Sequence, residues 1–162
     1  MDDFNNDIVQ CLNVLENDGL VIIPTEAGWM LAADAASEIA ADRLLASAPG
    51  CQPVVLLADE RDLLIHVSAL DLAVFDWMAG QKKPLAVRFP GVLAIAGQLL
   101  SPDGSAYISL SEDVFGIHLL KRFRKPIAVV PVDPAETTAL AAYRAGNHTS
   151  PVRNGFIFEK FV

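Results

Sequence analysis

The sequence predicts an α/β domain built on a mixed sheet, and three observations lead there. Short apolar runs at residues 20–23, Val54–Leu57 and 126–130 have the length and composition of strands buried on both faces. Stretches of helical periodicity lie between such runs, the alternation expected of helices packed against a sheet. Several connections are too short for helical crossovers, so some neighbouring strands must be antiparallel. With 162 residues, 52% of them hydrophobic and 20% charged, residues 1–162 read as a single domain with a sizeable core.

Taken in order, Ile8, Leu12 and Leu15 recur at helical spacing over residues 6–17, with Gly19 as the stop. The strand at 20–23 follows, and Pro24 is expected to end its ladder by removing a backbone donor. Residues 30–33 read as a second short strand. Ser37 caps a helix whose Ile39, Leu44 and Leu45 should face inward. A Gly/Pro loop at 48–53 precedes the strand Val54–Leu57, and Asp59 caps a short helix to about residue 65. Ser68 is expected to cap a helix over 69–79 with Leu70, Val74, Trp77 and Met78 inward and Gly80 at its end. Residues 84–89 and 93–96 read as strands, 101–104 as a turn and Ala106–Leu110 as a strand. Ser111 is expected to cap a helix over 112–123. After the strand at 126–130, Asp133 and Pro134 open a helix through about Ala145. A loop at 146–151 leads to a final strand at 156–161.

Polar chemistry begins where the first strand ends. Beyond Pro24 come a hydroxyl (Thr25), a carboxylate (Glu26), a permissive Gly28 and an indole (Trp29), and ligands of open α/β sheets usually sit outside the carboxyl ends of strands. Buried unpaired, such groups would cost about 1–3 kcal/mol each, so they are expected at an opening.

The residues from Gly19 to Glu26, then Leu31, Asp34-Ala35, a helix, and Pro53 through Asp59 resemble the N-terminal half of the YrdC/YciO family, the threonylcarbamoyl-adenylate synthases and their relatives. The similarity continues through Pro84-Leu85, 104–110 and 126–133, and centres on Pro24-Thr25-Glu26 in its strand. It implies a twisted sheet with flanking helices around a concave cavity, with a shortened region after about residue 133. Active members use ATP, threonine and bicarbonate to make an intermediate of tRNA modification, and some relatives bind double-stranded RNA. Against that pattern, Ala27, Trp29 and Met30 replace a threonine, a tyrosine and a glycine. The Lys-x-Arg expected after the second helix falls at Ala48-Pro49-Gly50. An arginine is replaced by Ser109 and the following proline by Ser111. The Ser-Ala-Asn motif falls on Pro131-Val132-Asp133.

Charge-assisted bonds to phosphate are worth roughly 1.5–3 kcal/mol each, so loss of the lysine and both arginines should abolish ATP chemistry. The expectation is a divergent, non-catalytic relative that keeps a cavity for an amino acid, a nucleoside or another small molecule. Thr25, Glu26 and Trp29 should face the segments 109–112 and 131–133 across it, with Ser109 and Asp133 as further ligand-binding candidates. No cofactor is expected; ATP and magnesium belong to the alternative, a retained synthase. An assembly subunit, including a homo-oligomer formed through the apolar surface, is the third reading.

Other features exclude classes of function. The acidic N-terminus has no signal-peptide pattern and no run approaches ~18 apolar residues, so a soluble cytoplasmic protein without membrane contact is expected. The formal charge of −8 argues against a broad nucleic-acid surface, leaving weak contact through Lys121, Arg122, Arg124 and Lys125. Those four also suit a helix C-terminus. Cys11 and Cys51 fit no metal spacing and read as reduced thiols. His66, His118 and His148 have no second ligand at metal spacing, and Ser109 and Ser111 have no His-Asp partner nearby in sequence.

Overall fold

In the computed structural model, residues 2–133, 141–148 and 155–161 are described. The elements are α1 (Asp2–Glu16), β1 (Val21–Thr25), β2 (Gly28–Asp34), α2 (Glu38–Ser47), β3 (Val54–Leu57), α3 (Glu60–His66), α4 (Ala73–Ala79), β4 (Leu85–Phe89), β5 (Ala106–Leu110), α5 (Val114–Phe123), β6 (Ile127–Pro131), β7 (Tyr143–Arg144) and β8 (Ile157–Lys160). The strands form one mixed sheet in the order β7-β1-β2-β6-β3-β5-β4-β8. The pairs β1·β7, β3·β5 and β4·β8 are parallel and the rest antiparallel. This is the α/β fold with a mixed sheet and flanking helices that the sequence predicts.

Side chains alternate between two cores because successive strand residues point to opposite faces. Ile22, Leu31, Val55, Leu57, Val87, Ile108 and Val130 bury one face under α2, α3 and α4. Val21, Ile23, Met30, Val54, Leu56, Ile127 and Val129 bury the other under α1 and α5. A strand covered on both sides needs no polar residues, which is why these strands read as unbroken apolar runs.

Several boundaries differ from expectation. Pro24 and Thr25 stay in β1, and the ladder with β2 runs on to Thr25 opposite Gly28. Pro24 is tolerated because β7 covers only Val21 and Ile22, leaving Pro24 on an edge segment where a missing donor costs little. α1 ends in a left-handed Asp18 (φ 62°), with Gly19 N donating to Val14 O at 2.9 Å. A Cβ on Gly19 would lie 2.6 Å from Val14 Cγ1, so glycine is needed there for close approach rather than for the left-handed position.

Ser37 and Asp59 cap α2 and α3 as expected, accepting from Ala40 N and Asp62 N. Ile39, expected inward, is 57% exposed, since the buried face of α2 is Ala40, Ala41 and Leu44. Ser68 does not cap a helix: its N–H and hydroxyl both donate to Gly91 O, Ala69 takes φ 51°, and α4 starts only at Ala73. Residues 93–96 form no strand. Their amides go to His66 O and Ala35 O, and Ala94 is left-handed. Asp113, not Ser111, caps α5. The helix expected over 133–145 is contradicted at its end, where Tyr143 and Arg144 pair with Val21 and Ile22 as β7. Residues 134–140 and the second half of the expected loop, 149–151, lie outside the described residues. No described helix is long and apolar enough to cross a membrane.

Candidate functional site

Glu26 and Ala27 form the two-residue turn of the β1–β2 hairpin. Thr25 Oγ1 donates to Gly28 O at 2.7 Å and accepts from Ala27 N at 3.1 Å, and Gly28 takes φ 109°. Thr25 is buried, so its hydroxyl serves the turn. Ala27 O accepts from Gly155 N at 2.7 Å. Glu26 Oε1 accepts from Glu112 N at 3.0 Å, across 86 positions of sequence.

That last contact joins segments that follow two distant strands. Following the pairings, β1 and β5 run in opposite directions, so in a flat sheet the hairpin after β1 and the segment after β5 would lie at opposite ends. Each step between neighbours rotates the strand by roughly 20–25°, and four steps separate β1 from β5. Twisted by this much, the sheet is far from flat, and the hairpin tip reaches Glu112 through Glu26.

There Asp113 accepts from Gly116 N and from Ser111 Oγ, both at 3.0 Å. A Cβ on Gly116 would come within 2.4 Å of Ser111 Oγ and 2.6 Å of Asp113 Oδ1. Gly116→Ala is therefore expected to push the cap apart and cost about 1–2 kcal/mol, measured by chemical denaturation.

Trp29 is half-buried on the same hairpin. Its carbonyl accepts from Val132 N at 3.2 Å, and the Arg144 guanidinium lies 4.9 Å from its ring centroid. The hairpin thus meets the 109–112 segment through Glu26 and the 131–133 segment through Trp29. Ser109 is buried in β5 opposite Leu56, and Asp133 lies exposed beyond β6. Gly50, where the sequence resemblance would place an arginine, is exposed in its loop.

Beside the Glu26 contact lies a cavity of about 360 Å³, lined by Glu60, Phe75, Met78, Lys83, Leu110 and Glu112 among others. Lys83 Nζ donates to Met78 O at 2.5 Å. Glu112 falls in the segment 109–112 expected to face Glu26, whereas Lys83, between the helix expected over 69–79 and the strand expected over 84–89, had no expected place at the site. The place of Lys83 is not written locally, because the cavity is assembled from α3, α4, β4 and the end of β5. Among the described residues no group of three His, Cys, Asp or Glu side chains could hold a metal ion.

The electrostatics are dominated by acid. Burial pushes Glu26 up to about 7 from its ordinary 4.5; the Glu112 amide opposes this, the Asp113 and Glu112 carboxylates add to it, and Lys83 offsets it in part. The folded protein thus holds a proton on Glu26 that the unfolded chain releases near 4.5. Stability from this group falls as pH rises between 4.5 and 7, on the order of 1–3 kcal/mol. Glu26→Gln keeps an acceptor for the Glu112 amide and is expected to flatten that decline in a melting-temperature profile from pH 5 to 8.

No family model and no curated sequence matches the chain. Solved structures do match its fold. E. coli YciO superposes with a TM-score of 0.80 at 14% identity, over 95% of this chain and 83% of that one. P. abyssi Sua5 complexed with L-threonine gives 0.78 at 15% identity, over 94% of this chain and 50% of that one. T. kodakarensis HypF gives 0.76 at 14% identity, over 96% of this chain and 23% of that one. This chain therefore spans about half the length of the Sua5 chain, and what these structures share with it is the YrdC-like fold.

Proposed function

We propose that this chain, built on the fold of Sua5 and YciO, is a small-molecule-binding protein that does not carry out ATP chemistry. The cavity lined by Lys83 and Glu112, beside the contact of Glu26 with Glu112, carries the reading. Phe75, Met78 and Leu110 offer apolar contact, and charged groups at its edge can orient a ligand. The charge is of the wrong sign for a triphosphate: Glu60 and Glu112 line the cavity against one ammonium, that of Lys83, and the carboxyl groups of Glu26 and Asp113 lie nearby. Gly50 and Ser109 stand where the resemblance would place arginines. A ligand with an amine or hydroxyl donor, an amino acid or a nucleoside, suits this lining better than a polyphosphate.

A thermal-shift series with ATP, AMP, threonine, the other amino acids and nucleosides tests this, since a ligand of the native state raises the melting temperature by mass action. Stabilisation by an amino acid or nucleoside without further gain from ATP is expected, and Glu112→Gln or Lys83→Ala should weaken it. Stabilisation that needs ATP and threonine together would favour the synthase. No response to any member, with a melting temperature that rises with protein concentration, would favour an assembly role.

Nucleic acid is a poor fit. Lys125 is paired with Asp34 at 2.9 Å, and Lys121 and Arg124 share a cavity with Asp59 and Asp62, so the basic run presents no continuous positive face. Duplex RNA should bind weakly at low salt and be lost at physiological ionic strength, as read by fluorescence anisotropy. Sub-micromolar binding at that ionic strength would contradict this.

A further inference from the structure

A second cavity, of about 270 Å³, lies where the end of β3 and the start of α3 face the C-terminal turn of α5. One wall carries Asp59 and Asp62, the other Lys121, Arg124 and Lys125, over an apolar floor that includes Leu57 and Leu120. Opposite charges that face each other over a surface crevice ordinarily close into ion pairs. Here the only ion pair among the described residues that involves this cavity runs from Lys125 to Asp34, which is not one of its lining residues. Asp59 Oδ1 accepts from Asp62 N at 3.2 Å and caps α3; the Asp62 carboxylate forms no ion pair among the described residues. Lys121 and Arg124 are likewise unpaired there, so the two walls stay separated by open space.

We propose that this cavity binds a small zwitterion of the free amino-acid class, its carboxylate on Lys121 and Arg124 and its ammonium on Asp62, supported by Asp59. A simple anion would meet the two carboxylates, and a simple cation would meet the Lys121 and Arg124 wall. A molecule bearing both charges satisfies both walls with charge-assisted bonds. The volume lies just below the roughly 300–1,000 Å³ of sites for drug-sized ligands, which suits a small metabolite. The site is separate from the Glu26 cavity and shares no lining residue with it.

The test is an amide NMR titration of the full chain with glycine and each L-amino acid, with acetate, methylamine and inorganic phosphate as single-charge probes. At least one amino acid is expected to move the amides of residues 58–62 and 121–125 saturably. Acetate and methylamine should bind those amides at least about tenfold more weakly, and Lys121→Ala and Asp62→Asn should each weaken the amino acid about tenfold, the equivalent of about 1.4 kcal/mol. Both substitutions sit on accessible side chains, and the dispersion of each variant's spectrum verifies its fold. Phosphate or acetate binding as tightly as the amino acid would overturn the proposal in favour of an anion site. Absence of any saturable shift up to about 50 mM, a concentration at which even millimolar affinity is visible, would also overturn it. So would shifts confined to Glu26, Lys83 and Glu112, which would support the first cavity alone.

Discussion

Phe115→Ala is expected to destabilise the protein by about 3–5 kcal/mol, the range for deleting a buried phenylalanine. Phe115 is fully buried on α5, edge-on to Phe4 of α1 at 5.4 Å and stacked on His148 at 5.0 Å. One side chain thus joins two helices to the segment that follows β7. Each aromatic contact adds about 0.5–1.5 kcal/mol beyond its buried area. Urea denaturation should show the midpoint falling by about 1–5 M with an unchanged slope, given slopes of about 1–3 kcal/mol per molar. A loss under about 1 kcal/mol would show that these elements pack more loosely than the geometry indicates.

Asp7→Ala is expected to cost about 3 kcal/mol. This carboxylate accepts from the Tyr143 hydroxyl, from Gly146 N at 2.9 Å and from His148 Nε2 at 2.5 Å, and so ties residues 143–148 to α1. Removing it leaves three donors without their acceptor, each worth about 1.5–3 kcal/mol when bonded to a charge, less what water recovers. Burial pushes the Asp7 carboxyl upward, but bonds from Tyr143, His148 and Gly146 outweigh it and hold it below its ordinary 3.8. Its contribution to stability is therefore complete above about pH 4 and is lost as pH falls through the lowered folded value. Asp7→Asn should thus differ most from the parent near neutral pH and converge on it in acid. A difference independent of pH would show that the carboxylate's charge does not contribute. The same tether raises the Tyr143 hydroxyl to about 12, through burial and then the bond to Asp7.

The sheet was legible because its strands are buried on both faces: Val54–Leu57 is apolar in every position and could hardly be anything else in a domain of this size. The caps Ser37 and Asp59 were legible because a cap is a local bond three residues long. β7 was not, since two residues, Tyr143 and Arg144, become a strand only through Val21 and Ile22, more than a hundred positions away. Ser68 looked like a cap, but Gly91 O takes its hydroxyl. In the candidate site, Glu26 could be singled out from Pro24-Thr25-Glu26. The segment that holds its partner Glu112 was expected opposite it from the family resemblance, whereas Lys83 was not, because no local pattern encodes how α3 and α4 pack beside β4 and the end of β5.

The most direct test of the central claim is pyrophosphate release from ATP in the presence of magnesium, threonine and bicarbonate, measured on the full chain beside an active synthase of the same fold. An acidic cleft, with Gly50 and Ser109 where the sequence resemblance would place arginines, predicts release no faster than in the protein-free blank. Release that requires both threonine and bicarbonate, and that is abolished by Glu112→Gln or Lys83→Ala, would contradict it.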